Sequence, residues 1–553
     1  MPGIGDALVK MGVISQEMLE IAENEARTTG RPLEEVLSLG FLIPEETIAR
    51  AHAEVMGVQY VDLSRVTVPP DVMRGFDPER LMHWMALPFE RDDSGYSIAV
   101  ARPSLDLRNQ LEKYVRRRFN VDVRIFTAKR SEIERLLHDS VFEGAHERMV
   151  LKHVEEAMRY ERQGAPINTA VPLLLDSIIN EAIMSRATDL HLVYDGYSLR
   201  SFLRVDGILR YHRAYPSELW PRLSAALKQR GGMDPADRLH PQDGHFVHLM
   251  AQGMKRVNIR TSAIPMANEG ESIVLRILDE SQVSFSLDHL GFMPGDLKVI
   301  REVLSRPHGL VLVTGPTGSG KTTTLYSIIN QLKPYARSAL TIEDPVEYRL
   351  PFVRQVQVNE RAGRTPAAML RFFLRHDPDV ILVGEIRDME TAEIAMQAAE
   401  TGHIVLSTLH TNDAPSAVLR LKDMGIDPVS IASTLRMVIA QRLVRVLCPY
   451  CKERVPPSEW ELAFLRDLSS KPDAVYRAAG CDMCRGTGFI GRTVVYEIVR
   501  ADEEDYQALR SARTVEDVIR FASRKGYRSM RLCGLMKVFQ GTTTVGEVMR
   551  VCG

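Results

Sequence analysis

The chain contains no uninterrupted apolar stretch of the roughly 18 residues that a membrane-spanning helix requires, so no transmembrane segment is expected. Its opening residues, Met1-Pro2-Gly3-Ile4-Gly5-Asp6, lack the charged-then-apolar pattern of a secretory signal. Cysteine is sparse: of six, four form two CxxC pairs, while Cys533 and Cys552 stand alone. That distribution excludes a secreted disulfide framework, and the two isolated thiols read as small buried side chains. Net charge is almost missing as well, at −2 from 70 basic and 72 acidic residues. Nothing in that balance draws the chain toward nucleic acid or an anionic membrane. The one dense basic run, Arg116-Arg117-Arg118, reads as a solvated helix face. These absences predict a soluble, cytoplasmic protein that reaches membranes only through partners and makes no direct contact with nucleic acid.

What is present starts with size. At 553 residues, 45% hydrophobic and 26% charged, the composition is that of ordinary globular protein, with enough chain for about three to four domains. The most informative stretch is Gly315-Pro316-Thr317-Gly318-Ser319-Gly320-Lys321-Thr322, which satisfies G-x-x-x-x-G-K-[ST] at every fixed position. It follows Leu310 to Val313, which reads as a buried strand. It precedes Thr323 to Leu332, which reads as a helix. The glycines let backbone N–H groups close around phosphate oxygens, and the helix N-terminus adds its positive dipole. Lys321 has the reach for β- and γ-phosphates, and the Thr322 hydroxyl can hold Mg²⁺. The loop, Gly315 to Thr323, therefore predicts a nucleoside triphosphate with Mg²⁺, and leaves open what the energy is used for.

Three polar motifs follow, each beside an apolar run: Ala339 to Glu347, with Glu343; Asp377 to Asp388, with Glu385; and Thr401 to Asn412, with His410. In a parallel sheet with crossover helices the strand C-termini share one edge. That edge would bring Glu343, Glu385 and His410 toward the phosphate loop. Hydrolysis needs such groups: a carboxylate to orient or deprotonate water, another near the metal, and a polar sensor of the γ-phosphate.

Further along, Cys448-Pro449-Tyr450-Cys451 and Cys481-Asp482-Met483-Cys484 are separated by 29 residues. Two CxxC knuckles suit a structural tetrahedral Zn²⁺ held by Cys448, Cys451, Cys481 and Cys484. The insert is expected to form a helix from Ser458 to Leu468, with Gly480, Gly486, Gly488 and Gly491 supplying tight turns.

The N-terminal third opens on an internal repeat. Residues from Gly3 and from Arg31 align at an offset of 28, each copy reading as two short helices broken at Gly12 or Gly40. Leu87 to Phe89, Tyr96 to Val100 and Val121 to Phe126 read as strands, and Leu105 to Phe119 and Ser131 to Val141 as helices. Glu143 to Gln163 looks like a helical or flexible linker. Next comes an apolar helical face from Val171 to Ile183, then strand-like runs from Asp189 to Leu278 with hairpins expected at Asp206-Gly207 and Asp243-Gly244. Arg204, Arg260 and Arg276 fall on these strands, where an arginine is ordinarily a solvated or ion-paired surface residue.

Taken together, these motifs resemble the type II/IV secretion ATPase superfamily, the motors of type II secretion and type IV pilus assembly. The four motor runs match its Walker A, Asp, Walker B and His boxes, with His376 where glutamine is common. The tetracysteine segment resembles the cysteine domain of its extension-type motors. The resemblance implies a RecA-like α/β domain carrying a zinc subdomain, preceded by α+β N-terminal domains. Its expected parts are a helical repeat over 1–60, an α+β module over 61–142, a linker over 143–165, a second, PAS-like α+β domain over 166–285, and the motor over 286–553 with the zinc subdomain at 446–492.

It also implies a homohexamer whose second N-terminal domain supplies nucleotide-sensing arginines to the neighbouring protomer. Arg204 is carried over from the Arg-x-Asp-Gly motif, with Arg260 and Arg276 as weaker candidates. Hydrolysis falls to the acidic residues Glu343 and Glu385. The expected partners are an inner-membrane platform protein and a cytoplasmic or membrane adaptor. In some members the N-terminal repeat, roughly R-L-G-x-x-[VIL]-[VIL]-x-x-G, binds cyclic di-GMP. Here Gly3 stands in the arginine position of the first copy and Leu33 in the glycine position of the second. Cyclic di-GMP therefore stays open beside a docking domain with no ligand. The alternatives weighed are a DNA-uptake or conjugation motor of the same superfamily and a nucleotide-responsive scaffold.

Overall fold

The repeat folds as short helices whose apolar positions turn inward. Ile4–Lys10 and Gln16–Thr29 form the first copy, and a π-helical turn, Val36–Gly40, with Glu45–Met56 forms the second. The aligned pairs Leu8 and Val36-Leu37 are buried. Gly12 makes the break between the first two helices at φ +70°, a conformation costly for any side chain. This computed structural model describes residues 3–553 except 42, 64–65, 67, 93–94, 134–135, 138–144, 165–168, 251–254, 268–269, 280–284 and 468–471. Residues 134–135 and 138–141 of the expected helix Ser131–Val141, the residue Glu269 and the end of the expected helix at Leu468 thus lie outside the described residues. By contacts the chain divides into Met1–Gln282 and Val283–Gly553.

In the first unit the helix Glu45–Met56 leads into a four-stranded sheet of order Gln59–Tyr60, Asp122–Thr127, Gly95–Val100, Ala86–Asp92. The helix Leu105–Phe119 ends in Arg116-Arg117-Arg118, where cations complement the helix C-terminus. Arg116 pairs with Asp122 at 2.8 Å on the exposed surface. The segment expected as a helical or flexible linker is helical, and it is packed: the helix Ala145–Arg162 buries Val150 and Ala157 fully in the cluster that holds Leu174 and Ile178. Val150, Val154, Ala157 and Met158 make an i, i+4, i+7, i+8 stripe, which the charged residues between them hide from a composition reading.

A six-stranded antiparallel sheet follows, in the order Ile208–Tyr215, Leu199–Val205, Ala187–Tyr194, Glu271–Leu278, Lys255–Pro265, Gln242–Met250. The helices Ala145–Arg162, Ala170–Met184 and Trp220–Gly231 supply side chains to the core on one face. The hairpin at Asp206-Gly207 forms as expected, with φ +49° and +86° suited to the twist of a two-residue turn. The one expected at Asp243-Gly244 does not: both residues lie within the strand Gln242–Met250. Gly244 is needed there for close approach, because a Cβ would collide with the Gly231 carbonyl at the end of the neighbouring helix.

The second unit is built on a seven-stranded sheet in the order Val353–Gln357, Ala339–Glu343, Val380–Val383, Ile404–Leu409, Gly309–Thr314, Leu435–Leu447, Phe489–Arg500. The first six strands run parallel and the last pairs antiparallel with Leu435–Leu447. Gly309–Thr314, Ala339–Glu343, Val380–Val383 and Ile404–Leu409 are buried along their whole length, as expected for parallel strands covered on both faces. From the far end of Leu435–Leu447 hangs a small module, with the two-stranded sheet Lys452–Val455 and Val475–Ala478 and the helix Glu459–Phe464.

Candidate active site

The strand Gly309–Thr314 ends where the loop Gly315 to Gly320 begins, and Lys321–Gln331 is the helix beyond it. Gly315, Gly318 and Gly320 have φ of +141°, +78° and +86°, so the loop's conformation calls for glycine at each of these positions. Pro316 and Thr317 lie between them, and Thr322 and Thr323 open the helix. The Lys321 ammonium donates to the carbonyls of Gly315, at 2.8 Å, and Pro316, at 3.1 Å. Burial lowers its pKa below the ordinary lysine value, an effect opposed by the Glu385 charge. The Ser319 hydroxyl is buried without a hydrogen-bond partner. A buried unpaired hydroxyl beside glycine backbone and an ammonium fits an anionic phosphate.

The neighbouring strand ends are stapled together by hydroxyls. The Thr314 Oγ1 lies 2.7 Å from the Leu409 carbonyl and accepts the Thr411 N–H at 3.0 Å. The Thr408 hydroxyl donates to the Gly384 carbonyl at 2.8 Å. These bonds fix Glu385 and His410 relative to the strand that feeds the phosphate loop. His410 Nε2 lies 2.9 Å from Glu385 Oε2, and Arg387 pairs with the other carboxylate oxygen. Burial works to raise the Glu385 carboxyl. Hydrogen bonds and charge from Arg387 and His410 more than reverse it, so the group is held below the usual carboxylate range.

Glu343 stands across from this cluster, at the end of its own strand. It is only 5% exposed. Its carboxylate accepts from Tyr326 Oη, from Thr341 Oγ1 at 2.5 Å and from Gln355 Nε2 at 3.1 Å. Tyr326 lies on the phosphate-loop helix, and burial with the Glu343 charge pushes its phenol well above the usual range. Of the three candidate catalytic residues on the motor's strands, Glu385 and His410 are thus in contact, while the Glu343 carboxylate turns toward Tyr326. Arg387, Tyr326 and Gln355 were not identified from sequence. Arg387 had a signal, standing two places after Glu385 in the same motif, whereas the other two depend on tertiary contacts.

In the first unit, strand register lines up Arg204 with Asp189, Asp189 with Arg276, Arg276 with Arg260, and Arg260 with His245. The result is one row across five strands. Asp189 Oδ1 lies 3.2 Å from Arg276 Nε, and Asp189 Oδ2 lies 3.5 Å from Arg204 Nε. Core residues alternate with the row, so it occupies the sheet face away from the helices.

Cys448, Cys451, Cys481 and Cys484 converge, all four sulfurs lying within 4.8 Å of one another. Three of the pairs are 3.8 Å apart. Tetrahedral thiolates bonded to zinc at ~2.3 Å would sit about 3.8 Å apart. The N–H groups of Gly480, Cys481 and Gly488 donate to Cys451 and Cys484 sulfurs at 3.1 to 3.3 Å, as a thiolate set requires.

A parallel sheet that delivers a glycine loop, a lysine and an ionised carboxylate to one edge is the architecture of a P-loop ATPase. Comparison with known proteins then defines the lineage. A family model described as type II/IV secretion system protein matches residues 165–550, and one described as MshEN domain matches 56–143. The type II secretion system protein E of Pseudomonas aeruginosa is 46% identical over 378 residues, covering 68% of this chain and 74% of the relative. The type IV pilus assembly ATPase PilB of Myxococcus xanthus is 34% identical over 560 residues, covering 99% and 98%. The ATPase DotB of Legionella pneumophila shares the fold, with a TM-score of 0.52 at 23% identity over 69% of this chain and 95% of that one. The chain belongs to the type II/IV secretion system protein family and is a secretion/pilus-assembly ATPase. No helix among the described residues is long and apolar enough to cross a membrane.

Proposed function

We propose that this ATPase works as a homohexamer at the cytoplasmic face of the inner membrane, where it powers pilin or pseudopilin assembly in a type IV pilus or type II secretion machine. Its N-terminal region would dock an adaptor, and its motor would turn an inner-membrane platform protein. Gly315 to Thr323 would hold ATP, with Lys321 turned from the loop carbonyls to the β- and γ-phosphates and Thr322 on Mg²⁺. Bound Mg²⁺ would neutralise charge on the phosphate oxygens. Glu385, kept ionised by Arg387 and His410, is near enough for its charge to act on Lys321 and would face the phosphates. Glu343, once its carboxylate leaves Tyr326, would orient water. The four cysteines would hold a structural Zn²⁺ that ties the two knuckles and takes no part in hydrolysis.

The observation that carries the shared-site reading is the row of Arg204, Arg276 and Arg260, three guanidiniums on a sheet face turned away from its own helices. Guanidiniums in such a position suit the γ-phosphate of an adjacent protomer, where an arginine stabilises transferring charge. The test is steady-state ATPase activity against protein concentration, run beside light scattering. Activity rising steeply as a hexamer forms supports a site shared between protomers. Activity independent of assembly removes the arginine assignments.

A further inference from the structure

Gln441 lies in the middle of the strand Leu435–Leu447 and is fully buried. A buried primary amide normally bonds to its own sheet or to a neighbouring loop for stability. Here both bonds go to the phosphate loop and its helix. Its Nε2 donates to the Ser319 carbonyl, inside the phosphate loop, at 2.8 Å. Its Oε1 accepts from the Thr324 hydroxyl, on the first turn of the loop helix, also at 2.8 Å. The orientation is forced: a carbonyl can only accept, so the amide nitrogen faces Ser319 and the amide oxygen is left to the hydroxyl. A single side chain thus bridges the loop to its helix from a strand more than a hundred residues downstream in sequence.

The backbone around it reinforces the contact. Thr314, the last residue before the loop, pairs in register with Ala440. A Cβ on Gly315 would collide with the Gln441 carbonyl, and one on Gly320 would come 3.3 Å from Gln441 Nε2. The loop therefore meets Gln441 at its first residue, at Ser319 and at the glycine that caps the helix. Gly315 and Gly320, at φ +141° and +86°, are two of the three loop positions with positive-φ backbone, and the Ser319 peptide lies between Gly318 and Gly320 where N–H groups are to converge on phosphate.

We propose that Gln441 is a positioning residue for ATP binding: it fixes the Ser319 peptide and the Lys321–Gln331 helix so that the loop keeps its phosphate-binding shape when empty. This rests on the assignment of Gly315 to Thr323 as the ATP site. A residue with a purely structural role would lower the melting temperature and leave nucleotide affinity alone. A positioning residue changes the Michaelis constant.

The test uses the full chain in four forms: wild type, Gln441→Met, Thr324→Val and the double variant, with Lys321→Ala as reference. Each is assayed for kcat and KM with ATP and for the rise in melting temperature on adding ADP. Gln441→Met keeps the volume and loses both bonds; its KM is expected to rise ~10-fold, with a smaller change in kcat and a reduced ADP-dependent thermal shift. Thr324→Val loses one bond and is expected to shift KM by a few-fold, with the double variant no worse than Gln441→Met, since the two side chains act as one unit. Wild-type KM and ADP response in Gln441→Met, or effects of the two substitutions that simply multiply, would overturn the proposal. If Lys321→Ala also retains hydrolysis, the ATP-site assignment itself fails. If Lys321→Ala is inactive while Gln441→Met is normal, only the role of Gln441 falls. Should Gln441→Met fail to fold, Thr324→Val alone decides through its KM.

Discussion

His410 holds Glu385 from one side at 2.9 Å while Arg387 holds it from the other, so the carboxylate beside the loop lysine stays ionised in spite of its burial. Removing either partner takes away an influence that lowers the Glu385 pKa and leaves burial to raise it. The acid limb of the kcat/KM profile that reports Glu385 is therefore expected to move to higher pH in His410→Ala and in Arg387→Ala. In His410→Ala, kcat is also expected to fall on the order of 10²-fold. A pH–rate series across the acid range checks both, and an unmoved acid limb would count against Glu385 as the group it reports.

Lys321→Ala is expected to reduce hydrolysis by at least ~10²-fold, the scale for losing one preorganised charge at a phosphoryl group. Because the ammonium donates to the loop carbonyls of Gly315 and Pro316, circular dichroism and the melting transition should stay close to wild type. Near-normal turnover would sink the site.

Tyr326→Phe removes the phenolic donor to Glu343 and the oxygen that accepts from Gln355 Nε2 at 3.4 Å, with little change of volume. The fold is expected to lose about 1 kcal/mol, read from chemical denaturation. Glu343→Ala should cost more, because it strands Tyr326, Thr341 and Gln355 together in a buried site. A smaller loss in Glu343→Ala than in Tyr326→Phe would contradict this ordering.

The purified chain is expected to carry about one zinc per protomer, measured by elemental analysis. Cys481→Ser or prolonged chelation should release it and lower the melting temperature, because the short sheet Lys452–Val455 with Val475–Ala478 would then hold the two knuckles without the metal. A metal-free chain with unchanged melting would refute the zinc assignment.

Glu547, 3% exposed, bonds Arg445 Nη2 at 2.7 Å and Arg550 Nη2 at 2.9 Å. Burial opposes ionisation, but these arginines bring its pKa down from 4.5 to about 2. The stability it supplies is complete above the unfolded value of 4.5 and is lost as pH falls toward about 2. Glu547→Gln is expected to cost about 3 kcal/mol near neutrality and to flatten that part of the stability profile, measured by denaturation at several pH values.

The comparison of sequence with structure divides along physical lines. Gly315 to Thr322 was legible because a phosphate loop needs particular residues at fixed local spacing, and the cysteine knuckles were legible for the same reason. The Asp-Gly signal was right at 206–207 and misleading at 243–244. Local chemistry permits a turn at both, and only the approach of Gly231 shows why the second glycine is there. The Ala145–Arg162 helix was obscured because its apolar stripe is narrow within a charged segment. Gln441 carried no local signal at all, since its two bonds join segments distant in sequence.

The strand Leu435–Leu447 passes Gln441 and ends against Cys448, with 13 residues in one continuous extended run. At ~3.3 Å per residue that is a run of about 43 Å, paired with Gly309–Thr314 over Leu435 to Ala440 and with Phe489–Arg500 over Met437 to Leu447. Its pairing with Phe489–Arg500 slips between Arg445 and Leu447, just before the first cysteine knuckle. One stretch of backbone therefore joins the cysteine module to the side chain that holds the Ser319 peptide, and a route of one strand and one hydrogen bond between cysteine cluster and phosphate loop runs through Gln441.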